Sequence, residues 1–230
     1  MISDLLSGQF DLVSFLIRIP IVLIALSVHE AAHGYAAYKM GDPTAKAFGR
    51  VTLNPLKHLD PIGTLCMLIA GFGWAKPVPV NARRFDNPKK GMALTAAAGP
   101  ISNLLLSLFG LICYSVVIIL SIKTDVFWAT KFTSDLYWVL ITFFYAFHTL
   151  NLALAVFNLI PLPPLDGSRL AMLFLPDKTY FGLMKYEQTI QFILMLALFT
   201  GFLDAPLMFV ITKISDGMLY IISLLWGLIL

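Results

Sequence analysis

The sequence predicts an all-α polytopic membrane protein with about five to six transmembrane or re-entrant helices and a short membrane-associated β-hairpin. Three observations carry this. Of 230 residues, 59% are hydrophobic and 13% charged, with a mean hydropathy of +0.84, against about 25% charged in soluble domains. Apolar runs recur that are long enough to cross about 30 Å of hydrocarbon. Between them, prolines, glycines and basic residues gather in short loops. No polar block leaves room for a separate soluble domain, so residues 1–230 read as one domain with a core at about 12–170. The net charge of +3 is modest, and no basic run points to nucleic acid. Cys66 and Cys113 sit in apolar stretches and read as small core hydrophobes.

In order, residues 1–11 are a short polar–apolar mix. Asp4 and Asp11 make that start acidic, unlike a cleaved signal. The first span is expected over 12–38, about 40 Å of helix at 1.5 Å per residue, with Arg18 snorkelling to the nearer surface. Residues 39–60 carry Lys39, Lys46, Arg50 and Lys57 among glycine and proline breakers, and 44–53 is expected to form the hairpin. Asp60-Pro61 reads as a helix N-cap followed by proline at the first position. The helix it opens, to about 72, is too short to span and is expected to be re-entrant. A basic extended loop over 73–90 leads to a second span at 91–120, where Gly99-Pro100 and Asn103 mark close helix packing. A polar loop over 123–135 precedes a third span at 136–158, which carries His148 and Asn151. Pro161, Pro163 and Pro164 then forbid a continuous helix, so the chain must unwind before Asp166. Residues 167–187 are expected at the interface, followed by apolar stretches at 188–203 and 205–230.

The chemistry is concentrated in His29-Glu30-Ala31-Ala32-His33. Residues four apart share a helix face, so both imidazoles can address one metal ion, with Glu30 beside them as a general base. Titratable residues inside an apolar segment are costly and mark function. His29 lies ten residues, about 15 Å, from the Lys39 end, which puts the metal inside the bilayer. A catalytic zinc takes three protein ligands and keeps one position open. The candidates for the third are His58, His148 and the acids. His58 reads as a surface or interfacial histidine and His148 as a helix-packing residue. Asp166, at the end of the proline-rich segment, is preferred because a carboxylate there has few other partners.

Nine of the sixteen basic residues lie between Lys39 and Lys90 and three between Arg169 and Lys185. By the positive-inside rule these regions are cytoplasmic, the N-terminus is outside, and the metal lies toward the cytoplasmic half of the cell (plasma or inner) membrane.

His29-Glu30-x-x-His33 together with Asn158-x-x-Pro161-x-Pro163-x-x-Asp166-Gly167 resembles the site-2 protease family of intramembrane zinc metalloproteases. Gly99-Pro100 with Asn103, and the stretch from Asn54-Pro55 to Gly63-Thr64, resemble its compact bacterial branch, without PDZ or CBS domains. The resemblance implies one zinc ion held by His29, His33 and Asp166, Glu30 as general base, and Asn158 binding substrate or ordering the site. It implies a transmembrane protein as substrate, unwound locally and laid as a strand against the site, with 44–53 as the candidate strand edge. Two other readings compete. A metal-binding or metal-transporting membrane protein predicts several titratable residues along a path. A scaffold that binds transmembrane helices without cutting them predicts loss of Glu30.

Overall fold

The computed structural model describes residues 12–70 and 73–229. Nine α-helices are found among the described residues: α1 Leu12–Lys39, α2 Thr44–Ala47, α3 Pro61–Ala70, α4 Pro88–Lys123, α5 Lys131–Asn158, α6 Asp166–Ala171, α7 Asp177–Met184, α8 Glu187–Phe199 and α9 Asp204–Ile229. The polar–apolar mix expected over 1–11, and the last two residues expected in the re-entrant helix, lie outside the described residues. Four helices are long and apolar enough to cross a membrane: Leu12–Lys39, Pro88–Lys123, Lys131–Asn158 and Asp204–Gly227. With α3 and the 13-residue α8, both too short to span, the count agrees with the expected architecture. Large apolar side chains such as Leu105, Phe109 and Phe132 face outward, as lipid-facing residues do.

The helix ends follow their capping chemistry. Asp60 Oδ1 accepts from Ile62 N–H at 3.1 Å and Gly63 N–H at 2.8 Å, opening α3 as its sequence requires. Asn87 caps α4 through Lys90 N–H, and Thr130 caps α5 in a reciprocal box with Thr133.

The expected hairpin at 44–53 is not what the structure shows. Residues 44–47 form the helical turn α2, because Asp42 accepts from both the backbone N–H (3.0 Å) and the hydroxyl of Thr44. Gly49, at φ +63°, then ends the turn. Among the described residues the β pairing is an isolated antiparallel bridge, Leu59 to Ala75.

The core is α1, α4 and α5, packed against one another, with α6 on α4 and α9 on α5. Val22 and Leu26 of α1 pack on Met67 of α3, while Leu152 and Val156 of α5 pack on Ile211 of α9. α3 is therefore anchored beside the motif helix, and α9 is anchored behind α5. Small residues set the closest approaches, as at Gly110, where an added Cβ would stand 2.8 Å from the Phe147 ring.

Candidate metal centre

α1 carries His29 and His33 on one face, both buried. Their rings stand edge to face with centroids 4.6 Å apart, and the two Nε2 atoms are 3.0 Å apart. Each ring is held by its other nitrogen. His33 Nδ1–H donates to the Thr95 carbonyl at 2.7 Å, and His29 Nδ1–H donates to Asn103 Oδ1 at 2.5 Å. The Asn103 amide is oriented in turn, because its Nδ2 donates to Asn151 Oδ1 at 2.9 Å and toward the Ala25 carbonyl at 3.3 Å. Asn151 Nδ2 donates to Phe147 O at 2.8 Å. Carbonyl oxygens can only accept, so this relay assigns the proton of each neutral ring to Nδ1 and leaves both Nε2 lone pairs facing inward.

Asp166 arrives from the other side. The chain unwinds after Asn158, turns through hydrogen bonds from Leu162 N–H to Ile160 O and from Leu165 N–H to Leu162 O, and restarts as α6 at Asp166. Gly167 permits this turn, since a Cβ there would collide with the carbonyl groups of Leu159 and Ile160. Asp166 Oδ2 ends 3.2 Å from each Nε2 and is buried without a hydrogen-bond donor among the described residues.

Three lone-pair atoms thus converge with nothing but one another to face. Oxygen and nitrogen lone pairs repel unless a cation lies between them. A tetrahedral zinc with ligand distances of about 2.05 Å sets its donors roughly 3.3 Å apart. The observed edges of 3.0, 3.2 and 3.2 Å fit that size, and the donor set of two imidazoles and one carboxylate suits zinc. All three ligand atoms lie within 4.8 Å of one another.

Glu30, next along α1, is also buried. Its Oε2 accepts from the Val78 backbone N–H at 3.0 Å, which belongs to the extended chain after α3. Gly99 of α4 lies directly against the two imidazoles. A Cβ there would meet His33 Nε2 and Cε1, and would stand 2.6 Å from His29 Cε1.

Neither His58 nor His148 joins this cluster. Asn158 Nδ2 donates to Leu154 O of its own helix at 3.0 Å. His58 is fully buried rather than at the surface, with its Nε2–H donating to Thr52 O at 2.7 Å; its ring ties the basic loop together. His148 packs between helices as expected, bonded to Ser107 Oγ at 2.8 Å and Ser215 Oγ at 2.9 Å. Sequence reasoning took Asn103 for a packing residue and gave Asn151 no role. The signal that could have found both is an amide in the middle of an apolar span, which must have a partner.

The family model for Peptidase family M50 matches residues 17–201. YwhC of Bacillus subtilis, named as a candidate zinc metalloprotease, is 43% identical over 178 residues, covering 77% of each chain. Rip2 of Mycolicibacterium smegmatis, named likewise, is 28% identical over 150 residues, 63% of this chain and 52% of its own. Rip2 of Mycobacterium tuberculosis is 29% identical over 149 residues with the same coverage, so the chain spans about half the length of the Rip2 relatives. No solved structure matches the chain. With the family model covering most of its length and a relative this similar, the chain belongs to peptidase family M50, the site-2 protease family.

Proposed function

We propose that His29, His33 and Asp166 hold one zinc ion per chain and that Glu30 is the general base for peptide-bond hydrolysis. As a member of its family the chain is an intramembrane zinc metalloprotease. The observation that carries the assignment of roles is the convergence of three lone-pair atoms, one of them an orphaned carboxylate oxygen, beside a buried Glu30. Bound there, zinc supplies polarisation of the scissile carbonyl and a lowered pKa for water, toward about 7. The rest falls to side chains. Glu30 takes the proton of the attacking water and delivers it to the nitrogen of the leaving amine. The Asn103–Asn151 relay and the Thr95 carbonyl keep both imidazoles in the tautomer that presents Nε2. Asn158 orders the last turn of α5 beside the substrate path.

The substrate is a segment of a membrane protein, reached from the side. A cavity of about 890 Å³ opens between α1, α3, α5 and the α8–α9 turn, lined among others by Val22, Met67, Thr149, Ala153, Phe157 and Leu207. Thr149, Ala153 and Phe157 run along α5 toward Asn158, from which the chain unwinds to Asp166. Residues 12–170 are the catalytic core. The positive-inside rule supports a site in the cytoplasmic half of the cell membrane, because nine basic residues lie between Lys39 and Lys90 and three between Arg169 and Lys185.

The test is Glu30→Gln in proteoliposomes against a single-span test substrate, an apolar helix of about 20 residues with a fluorophore–quencher pair and a central Gly-Asn. Cleavage falls by at least about a hundredfold, the lower end for a general base, while zinc content stays at one per chain. Cleavage at the wild-type rate would remove Glu30 from the mechanism.

A further inference from the structure

Residues 73–81 form an extended strap across the metal end of α1, tied at four points. Lys76 N–H donates to His58 O at 2.7 Å, Arg50 Nη2 donates to Lys76 O at 2.5 Å, Val78 N–H donates to Glu30 Oε2 at 3.0 Å, and Asn81 N–H donates to Asp42 Oδ2 at 2.6 Å. The Val78 side chain also closes on Gly34, one residue after His33; a Cβ at Gly34 would stand 3.4 Å from Val78 Cγ1.

The sequence of the strap, Lys76-Pro77-Val78-Pro79-Val80, gives these bonds a direction. In extended chain, successive N–H groups point to opposite sides. Residues 76 and 78 point to the protein, where both donate. Residues 77 and 79 point the other way, and as prolines they have no N–H to offer. From Lys76 to Pro79 the outer edge therefore has no N–H to donate to another strand; the alternation ends before Asn81, whose N–H turns back to Asp42. The prolines also confine the backbone to extended geometry, which fixes where the Val78 N–H sits.

We propose that the main-chain N–H of Val78 is a positioning group for catalysis, aiming the Glu30 carboxylate, and that Pro77 and Pro79 dedicate the strap to this contact. The inference rests on the reading of Glu30 as general base. A carboxylate on a flexible stem samples several rotamers, and one charge-assisted hydrogen bond from fixed backbone selects among them. The partner is a backbone atom, so no side-chain motif announces it.

The experiment compares three zinc-loaded proteins in proteoliposomes with the same test substrate. In one, the Val78 amide is replaced by an ester, which deletes the N–H and keeps the side chain. The second is Val78→Pro, a replacement that the flanking prolines already suit conformationally. The third is Val80→Pro, a control, since the Val80 N–H has no hydrogen-bond partner among the described residues. A hydrogen bond to a charged group is worth about ten- to a hundredfold in rate. The ester and Val78→Pro therefore lower kcat by that factor with KM and zinc content unchanged, while Val80→Pro matches wild type. A second readout needs no turnover. The difference infrared spectrum of wild type against Glu30→Gln contains the Glu30 carboxylate stretch, and the ester at 78 moves that band. An unmoved band, an unchanged or raised kcat, or an effect confined to KM would overturn the inference. If Glu30→Gln itself cuts at the wild-type rate, it is the general-base reading that has failed; an inert Glu30→Gln beside a fully active ester at 78 sinks the strap inference alone.

Discussion

Gly99→Ala is the sharpest test of how the metal centre is built, because one methyl group is added where α4 touches both imidazoles. The new Cβ would stand 2.6 Å from His29 Cε1 and closer still to His33 Nε2. Carbon atoms in contact need about 3.5–4.0 Å, so something must move by roughly 1 Å. The neighbours on offer are the two rings and the α4 backbone. If the rings move, His29 gives up its 2.5 Å bond to Asn103 and His33 its 2.7 Å bond to Thr95. If α4 moves, the same two bonds stretch, since both partners sit on α4. Overpacking of this kind costs about 1–3 kcal/mol in stability, and loss of a ligand's outer hydrogen bond costs about 10- to 100-fold in metal affinity. The assay is zinc competition against a chelator in detergent, read beside thermal unfolding. Gly217→Ala is the control, because a Cβ there meets nothing within 4 Å and alanine favours helix by about 1 kcal/mol. Weakened zinc binding in Gly99→Ala with normal binding in Gly217→Ala is expected. A Gly99→Ala protein that binds zinc as wild type does would refute the reasoning that α4 sets the imidazole positions.

Further outcomes follow from the same geometry. Asn103→Ala removes the acceptor for His29 Nδ1–H and strands the buried Asn151 oxygen; zinc affinity falls about 10- to 100-fold by the same competition assay. Leu152→Ala hollows a fully buried contact of α5 with α9 and lowers stability by about 2–5 kcal/mol, read as a lower unfolding temperature with zinc stoichiometry intact. Asp42 gives a pH dependence. Burial would raise its pKa, but hydrogen bonds from the Thr44 hydroxyl and the Asn81 and Thr44 backbone, together with the nearby Arg84 charge, outweigh it and hold the pKa below the ordinary value. A depressed folded pKa means that its stabilisation is fully present above the unfolded value, about 3.9, and is lost as pH falls through the folded one. Asp42→Asn therefore lowers the unfolding temperature at pH 7 and flattens its acid dependence below about pH 4, measured by thermal unfolding across that range.

The cluster of His29, His33 and Asp166 was legible in sequence where side-chain chemistry is periodic or interrupted. His29 and His33 declare themselves by a four-residue spacing, and Asp166 by the prolines that force the chain open in front of it. What the sequence withheld depends on contacts between segments. Asn103 could be placed on a packed helix face, but its bond to His29 requires the relative rotation of α1 and α4, which side-chain spacing within one helix does not encode. The hairpin expected at 44–53 is not formed, because Thr44 donates to the Asp42 carboxylate and opens a helical turn that outweighs a weak extended pattern. His58 was taken for a surface residue because its neighbours are basic, yet a single carbonyl partner at Thr52 suffices to bury it. The Val78 contact to Glu30 lies beyond reach in principle, since a backbone amide is the same at every residue except proline.

The central claim is that two histidines and one aspartate hold a zinc ion inside this bundle. Zinc content per chain of the detergent-purified protein, measured for wild type beside His33→Ala and Asp166→Ala, tests it most directly. One zinc in the wild type and a large loss in both variants, each still folded by circular dichroism, is the predicted result. A well-folded wild type without zinc, or full zinc retention in Asp166→Ala, would contradict it.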